Sequence, residues 1–104
     1  AIGNDYGFDS LFSRQLQANA RPGDVFIAIS TSGNSANIVR ALEAAAELDL
    51  VTVGLSGAGG GAMAELCQHC VKIPSTDTPR IQEGHITVGH ILCASTEKVL
   101  FGRD

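Results

Sequence analysis

The sequence has no tryptophan, one tyrosine and four phenylalanines, so a core has to be assembled from Ile, Val, Leu and Ala. Proline occurs only three times, and no apolar run approaches the roughly 18 residues of a membrane span. Basic residues are scarce as well: seven Lys and Arg, scattered singly, stand against eleven Asp and Glu, for a net charge of -4. A nucleic-acid backbone or an anionic membrane finds no basic patch to bind. No charged-then-apolar signal segment opens the chain, which leads us to expect a cytoplasmic protein. Cys67, Cys70 and Cys93 are an odd number of thiols without a secretion signal, which argues for reduced cysteines and against a disulfide framework.

What is present suffices for one small domain: 104 residues, 44% of them hydrophobic, with 12 glycines. Phe8 to Ala18 place Phe8, Leu11, Phe12 and Leu16 near one helical face, with Asp9 in the first turn, where the helix dipole favours a carboxylate. RPGD at 21–24 is turn chemistry. Val25 to Ile29 (VFIAI) reads as a strand buried on both faces of a parallel sheet, which then carries helices on either side. Ile38, Val39, Leu42, Ala45 and Ala46 recur at helical spacing, and Asp49 would fall on their apolar face, so this helix ends near Leu48.

A second strand at Val51 to Leu55, a short helix within AMAELCQ and a third strand around Cys70 to Ile73 complete a β-α-β-α-β order. The expected class is α/β, an open parallel sheet with flanking helices and right-handed crossovers. In the loop PSTDTP at 74–79, Thr78 can cap a helix and Pro79 suits its first position. A long helix then runs to about Leu100, with Ile81, Val88, Ile91, Leu92, Val99 and Leu100 among its apolar positions. Three strands are few for a doubly wound domain, where about five or more are usual. The chain, which starts at Ala1, is therefore expected to be the C-terminal portion of a domain whose other strands precede it.

Ligands of open parallel sheets collect where strands end and helices begin, because backbone N–H groups and the positive end of a helix dipole converge there. STSGNS at 30–35 occupies that position. Ser30, Thr31, Ser32 and Ser35 can add hydroxyl donors, and Gly33 permits a backbone that wraps an anion such as a phosphate monoester. The plainer alternative is that Ser32, Asn34 and Ser35 only cap the helix. No Walker lysine follows, and the spaced glycines of a dinucleotide fingerprint are missing. SGAGGGAM at 56–63 reads as a tight glycine turn rather than a second anion loop, since only Ser56 brings a hydroxyl. CQHC at 67–70 lacks the second ligand pair of a zinc site and leads into a strand, so its thiols are read as structural. On the long helix Gln82, Glu83 and His90 project toward one half while His85 points well away from His90. A histidine on a mainly apolar helix is as readily a satisfied core residue as a reactive one.

ISTSGNSANIVRALEAA, TPRIQEGHITVGHILC and the opening GNDYGF together resemble the sugar isomerase (SIS) domain family, and within it the phosphoheptose isomerases, over nearly the whole chain. The resemblance implies conversion of sedoheptulose 7-phosphate to D-glycero-D-manno-heptose 7-phosphate through an enediol. It implies that Ser30, Thr31, Ser32 and Ser35 hold the sugar phosphate and that Asn4 and Asp5 contact the sugar or its phosphate end. Gln82 would touch substrate and, with His90, supply ligands to a zinc ion, with His90 also one of two acid–base groups. The family's earlier His-x-x-x-Glu, which carries its other metal ligand and catalytic glutamate, has no counterpart before Asn4, and the match gives Glu83 no such role. By resemblance the protein is also a homotetramer with active sites at subunit contacts. Two alternatives share the Ser-rich loop: a phosphosugar-sensing or replication-initiator-binding SIS protein without activity, and an isomerase for another sugar phosphate. The presence of Ser32 and His90 favours the heptose enzyme over the former.

Overall fold

The computed structural model describes residues 11–102. In chain order these form helix α1 (Leu11–Asn19), strand β1 (Val25–Ile29), helix α2 (Ala36–Glu47), strand β2 (Val51–Ser56), a short helix α3 (Gly61–Leu66), strand β3 (His69–Lys72) and the long helix α4 (Thr78–Phe101). The strands make one parallel sheet in the order β1-β2-β3, with Val25 opposite Val51 and Val53 opposite His69. Phe8 and Asp9, expected to open the first helix, lie outside the described residues.

Strand alternation sorts the sheet into two faces. On one, Ala28 packs against Leu42 of α2 and Met63 of α3, with Phe26, Ile38 and Cys67 around them. Small residues make this layer thin. A Cβ on Gly54 would sit 2.8 Å from the Cys67 sulfur and 3.2 Å from Met63 Cγ, and Ala41, Ala44 and Ala45 let α2 lie close to its neighbours.

The other face departs from expectation. Val25, Ile27 and Ile29 are 60%, 43% and 55% exposed, so β1 is buried on one face only. The reason is the path of α4, which meets the sheet at its carboxyl end through Ile81 and His85 and then continues beyond it. Ile91, Leu92, Val99 and Leu100 stand on the exposed part of that helix, so their apolar character does not make them core within this chain.

The helix boundaries follow from local chemistry. α2 closes at Leu48, whose N–H reaches the Ala44 carbonyl, and Asp49 then takes φ 58° to turn the chain into β2. The residue that caps α4 is Asp77, not Thr78: Ser75 Oγ accepts the Asp77 N–H at 3.0 Å, and the Asp77 carbonyl accepts the Ile81 N–H at 3.0 Å as the first helical bond. Pro79 still sits in the first turn, where its missing N–H costs nothing. Gly102, at φ 67° and ψ 23°, ends the helix in the left-handed conformation that glycine tolerates best.

The end of β2 joins three segments. The carbonyl of fully buried Ser56 accepts both the Ile73 N–H (2.9 Å), just past β3, and His85 Nε2 of α4 (3.0 Å). The N–H of the same peptide group, on Gly57, donates to the Thr31 carbonyl after β1 at 3.0 Å. No side chain fits at Gly57: a Cβ would lie 2.6 Å from Ile81 Cδ1 and 2.9 Å from the Thr31 carbonyl oxygen.

Cys67 and Cys70 are half-buried thiols packed at the sheet, whereas Cys93 is exposed. Cys67 caps α3 and touches Gly54, while Cys70 Sγ lies 3.7 Å from Ser56 Oγ. Burial, and then the neighbouring Cys70, push the Cys67 thiol above its ordinary 9.0. The described residues contain no group of three or more His, Cys, Asp or Glu able to hold a metal.

Two predictions follow from these contacts. Gly57→Ala lowers stability by about 2 kcal/mol, because the new methyl group must displace backbone as well as Ile81; an unchanged urea midpoint would contradict the junction described. A raised thiol pKa means that the unfolded chain loses its proton first, so the Cys67 contribution to stability is complete below pH 9.0 and falls as the pH rises beyond it. In the native chain at pH 8, iodoacetamide therefore labels exposed Cys93 before Cys67, and equal rates at both would overturn that ordering.

Candidate functional site

Directly after β1 the chain folds back on itself through its own hydroxyls. Ser30 Oγ accepts the Gly33 N–H at 3.0 Å and Ser32 Oγ accepts the Asn34 N–H at 3.1 Å. Because each oxygen receives a proton from the backbone, its own O–H stays available to donate outward. Gly33 takes φ 71° and is buried, and a Cβ there would run into the Gly60 carbonyl oxygen. The loop is braced from the other side by α3, whose Ala62 and Met63 N–H groups donate to Asn34 Oδ1 and the Gly33 carbonyl, each at 2.9 Å.

This arrangement counts against the capping reading of STSGNS. Ser35 occupies the N-cap position of α2 but makes no side-chain cap bond, and Asn34 is turned to α3. The serines organise the loop rather than cap the helix. Among the described residues, the first-turn amides of α2 thus find no side-chain acceptor, at the end of the helix that attracts an anion. The glycine segment after β2 is a tight turn, with Gly60 at φ 74° and Gly61 at φ 59° and the α3 amides already engaged.

A cleft of about 280 Å³ opens between the three strand-to-helix connections. Thr31 and Ser32 form one wall, Gly57 to Gly59 a second and Ser75, Thr76 and Thr78 a third, with Ile81 at the base. Ser75 and Thr76 were not singled out from the sequence, and Thr78 only as a helix cap, although the rule that selected STSGNS extends to this loop: hydroxyls between a parallel strand and the next helix. Ser30 and Ser35 do not line this cleft, and Asn4 and Asp5 lie outside the described residues.

Gln82 faces a different space, a cleft of about 480 Å³ shared with Ile29, His85, Ile86 and Gly89. It is therefore α4 that links the two clefts, with Ile81 in one and Gln82 in the other. His90 is exposed and lies eight residues beyond Gln82, about 12 Å farther along the helix axis. Glu83 is paired with Arg80, whose Nη1 lies 3.0 and 2.9 Å from its two carboxylate oxygens on the solvent side. An amide oxygen and an imidazole are suitable donors for zinc in kind but not in number, since zinc takes three or four protein ligands. Gln82 and His90 alone do not complete such a site.

Comparison with known proteins agrees with this geometry. The SIS domain family matches residues 1–57. Phosphoheptose isomerase 2 of Campylobacter jejuni is 62% identical over 103 residues, covering 99% of this chain and 51% of that protein. Phosphoheptose isomerase of Aneurinibacillus thermoaerophilus is 62% identical over 101 residues, covering 97% of this chain and 51% of that protein. The structure of the phosphoheptose isomerase from Neisseria gonorrhoeae superimposes with a TM-score of 0.87 at 46% identity, covering 90% of this chain and 54% of that one. The chain thus spans about half the length of these relatives. With the family match extending through β1, the Ser-rich loop, α2 and β2, this chain belongs to the SIS domain family.

Proposed function

We propose that this chain supplies the phosphate-binding part of a phosphoheptose isomerase site, which interconverts sedoheptulose 7-phosphate and D-glycero-D-manno-heptose 7-phosphate. The observation that carries this reading is the convergence of Thr31, Ser32, Ser75, Thr76 and Thr78 on one cleft at the carboxyl ends of parallel strands, beside a helix carrying Gln82 and His90. The names of the relatives support the same substrate.

In this reading the phosphate lies against Thr31, Ser32 and the first turn of α2, with Ser30 and Ser35 completing the loop. Hydroxyl and amide donors stabilise its charge by hydrogen bonds, without a lysine or arginine in the cleft lining, as at other helix-start phosphate sites. Asn4 and Asp5 contact the sugar or its phosphate end, and the reacting end extends along α4 toward Gln82 and His90. Isomerisation removes a proton from the carbon beside the carbonyl, forms the enediol and returns a proton to the neighbouring carbon. His90 is one of the two groups that exchange protons, an imidazole being suited to either direction near neutral pH. The second group is not assigned to Glu83, which the resemblance places beside the glutamine and which pairs with Arg80 on the solvent side.

A zinc ion held by Gln82, His90 and donors outside the described residues would polarise the carbonyl. Exposed Ile91, Val99 and Leu100 on α4 favour a homotetramer with sites at subunit contacts. A cytoplasmic location belongs to the same proposal. Among the described residues no helix is long and apolar enough to cross a membrane.

The test is a chimera in which this chain replaces the matching segment of the Campylobacter jejuni relative. It should turn over sedoheptulose 7-phosphate. Ser32→Ala should weaken sugar-phosphate binding roughly ten-fold, the loss expected for one hydrogen bond to a charged group, and His90→Ala should lower kcat at least about 100-fold with the fold retained. A folded chimera that binds the sugar phosphate without converting it would move the protein to the sensing class.

A further inference from the structure

His85 is the one histidine of α4 that the proposed chemistry does not use, and it is 5% exposed. Its Nε2 lies 3.0 Å from the Ser56 carbonyl oxygen. A carbonyl only accepts, so the ring carries its proton on Nε2, and Nδ1 is left as a buried acceptor with no partner among the described residues. An apolar side chain of similar size would fill the same space without leaving a polar atom unmet. The imidazole therefore answers to a need that packing alone does not create.

That need follows from what α4 has to do. Its first turns touch the sheet through Ile81 and through Gly84, where a Cβ would lie 2.8 to 2.9 Å from the Ile73 side chain. Contacts of this kind hold a helix close but set its height and rotation less sharply than a hydrogen bond, because apolar packing has no direction. The bond from His85 to Ser56 is directional, and it ends on the peptide group whose N–H holds the Thr31 carbonyl. A displacement of α4 would therefore carry Gln82 and His90 out of register with the loop that binds phosphate.

We propose that His85 is a positioning residue, whose Nε2–H on the Ser56 carbonyl sets the height and rotation of α4 so that Gln82 and His90 meet a sugar anchored in the cleft. Its effect on turnover rests on the isomerase reading, whereas its effect on the helix does not.

The experiment compares His85→Leu, which keeps the burial and loses the donor, with His85→Gln, whose side-chain amide nitrogen reaches nearly the position of Nε2. Both are made in the chimera and read by steady-state kinetics and by amide hydrogen exchange over residues 79–86. His85→Leu should lower kcat about ten-fold or more while KM for the sugar phosphate stays within about two-fold, and should speed exchange in that segment about ten-fold. His85→Gln should restore most of both. Unchanged kcat and exchange in the leucine variant would overturn the proposal, as would a glutamine variant impaired to the same degree. If the unmodified chimera binds but does not turn over the sugar phosphate, the isomerase reading fails, and the exchange comparison still decides whether His85 anchors α4.

Discussion

One peptide group, between Ser56 and Gly57, holds the carboxyl edge of the sheet together. Its oxygen takes protons from Ile73 and His85, and its nitrogen gives one to Thr31. Three connections and the start of α4 are thereby fixed relative to one another by bonds formed in a fully buried place, where an unmade hydrogen bond is expensive. The cleft lies between these connections, which the bonds at this peptide group join. Gly57 has to be glycine for the same reason, since any side chain there would wedge the segments apart.

The serine loop shows a related economy. A turn after a strand must satisfy its own backbone, and here the hydroxyl oxygens of Ser30 and Ser32 do so while each keeps an O–H able to donate. Asn34 and the Gly33 carbonyl accept first-turn amides of α3, which no helix satisfies from within. Two neighbouring connections are stabilised by each other, and the first-turn amides of α2 have no side-chain acceptor among the described residues. The distribution of donors is that of a site prepared for an anion, and it arises from neutral groups in a chain of negative net charge.

Local pattern carried much of the architecture. VFIAI, VTVGL and the alanine-rich helical repeat mark β1, β2 and α2, because short β-branched runs and a 3.6-residue period leave few other solutions. The Ser-rich loop was legible because its place at a strand end coincides with its chemistry. Ser75, Thr76 and Thr78 were harder to find, since their partnership with Thr31 and Ser32 is tertiary and crosses more than 40 residues of sequence. The burial of β1 was overestimated for a related reason: an apolar run records that a face will be covered, without recording by what. The role of His85 was equally hidden, because helical spacing shows that it diverges from His90 but says nothing of the Ser56 carbonyl waiting on the other side.

The central claim is that the three connections form a single anion site. Amide hydrogen exchange of the chimera, measured while sedoheptulose 7-phosphate is added, tests it most directly. The account predicts that segments 30–37, 57–60 and 75–79 slow together and saturate at one concentration. Protection confined to 30–37, with the other two segments unaffected, would show that the serine loop binds alone and that the cleft is not the site.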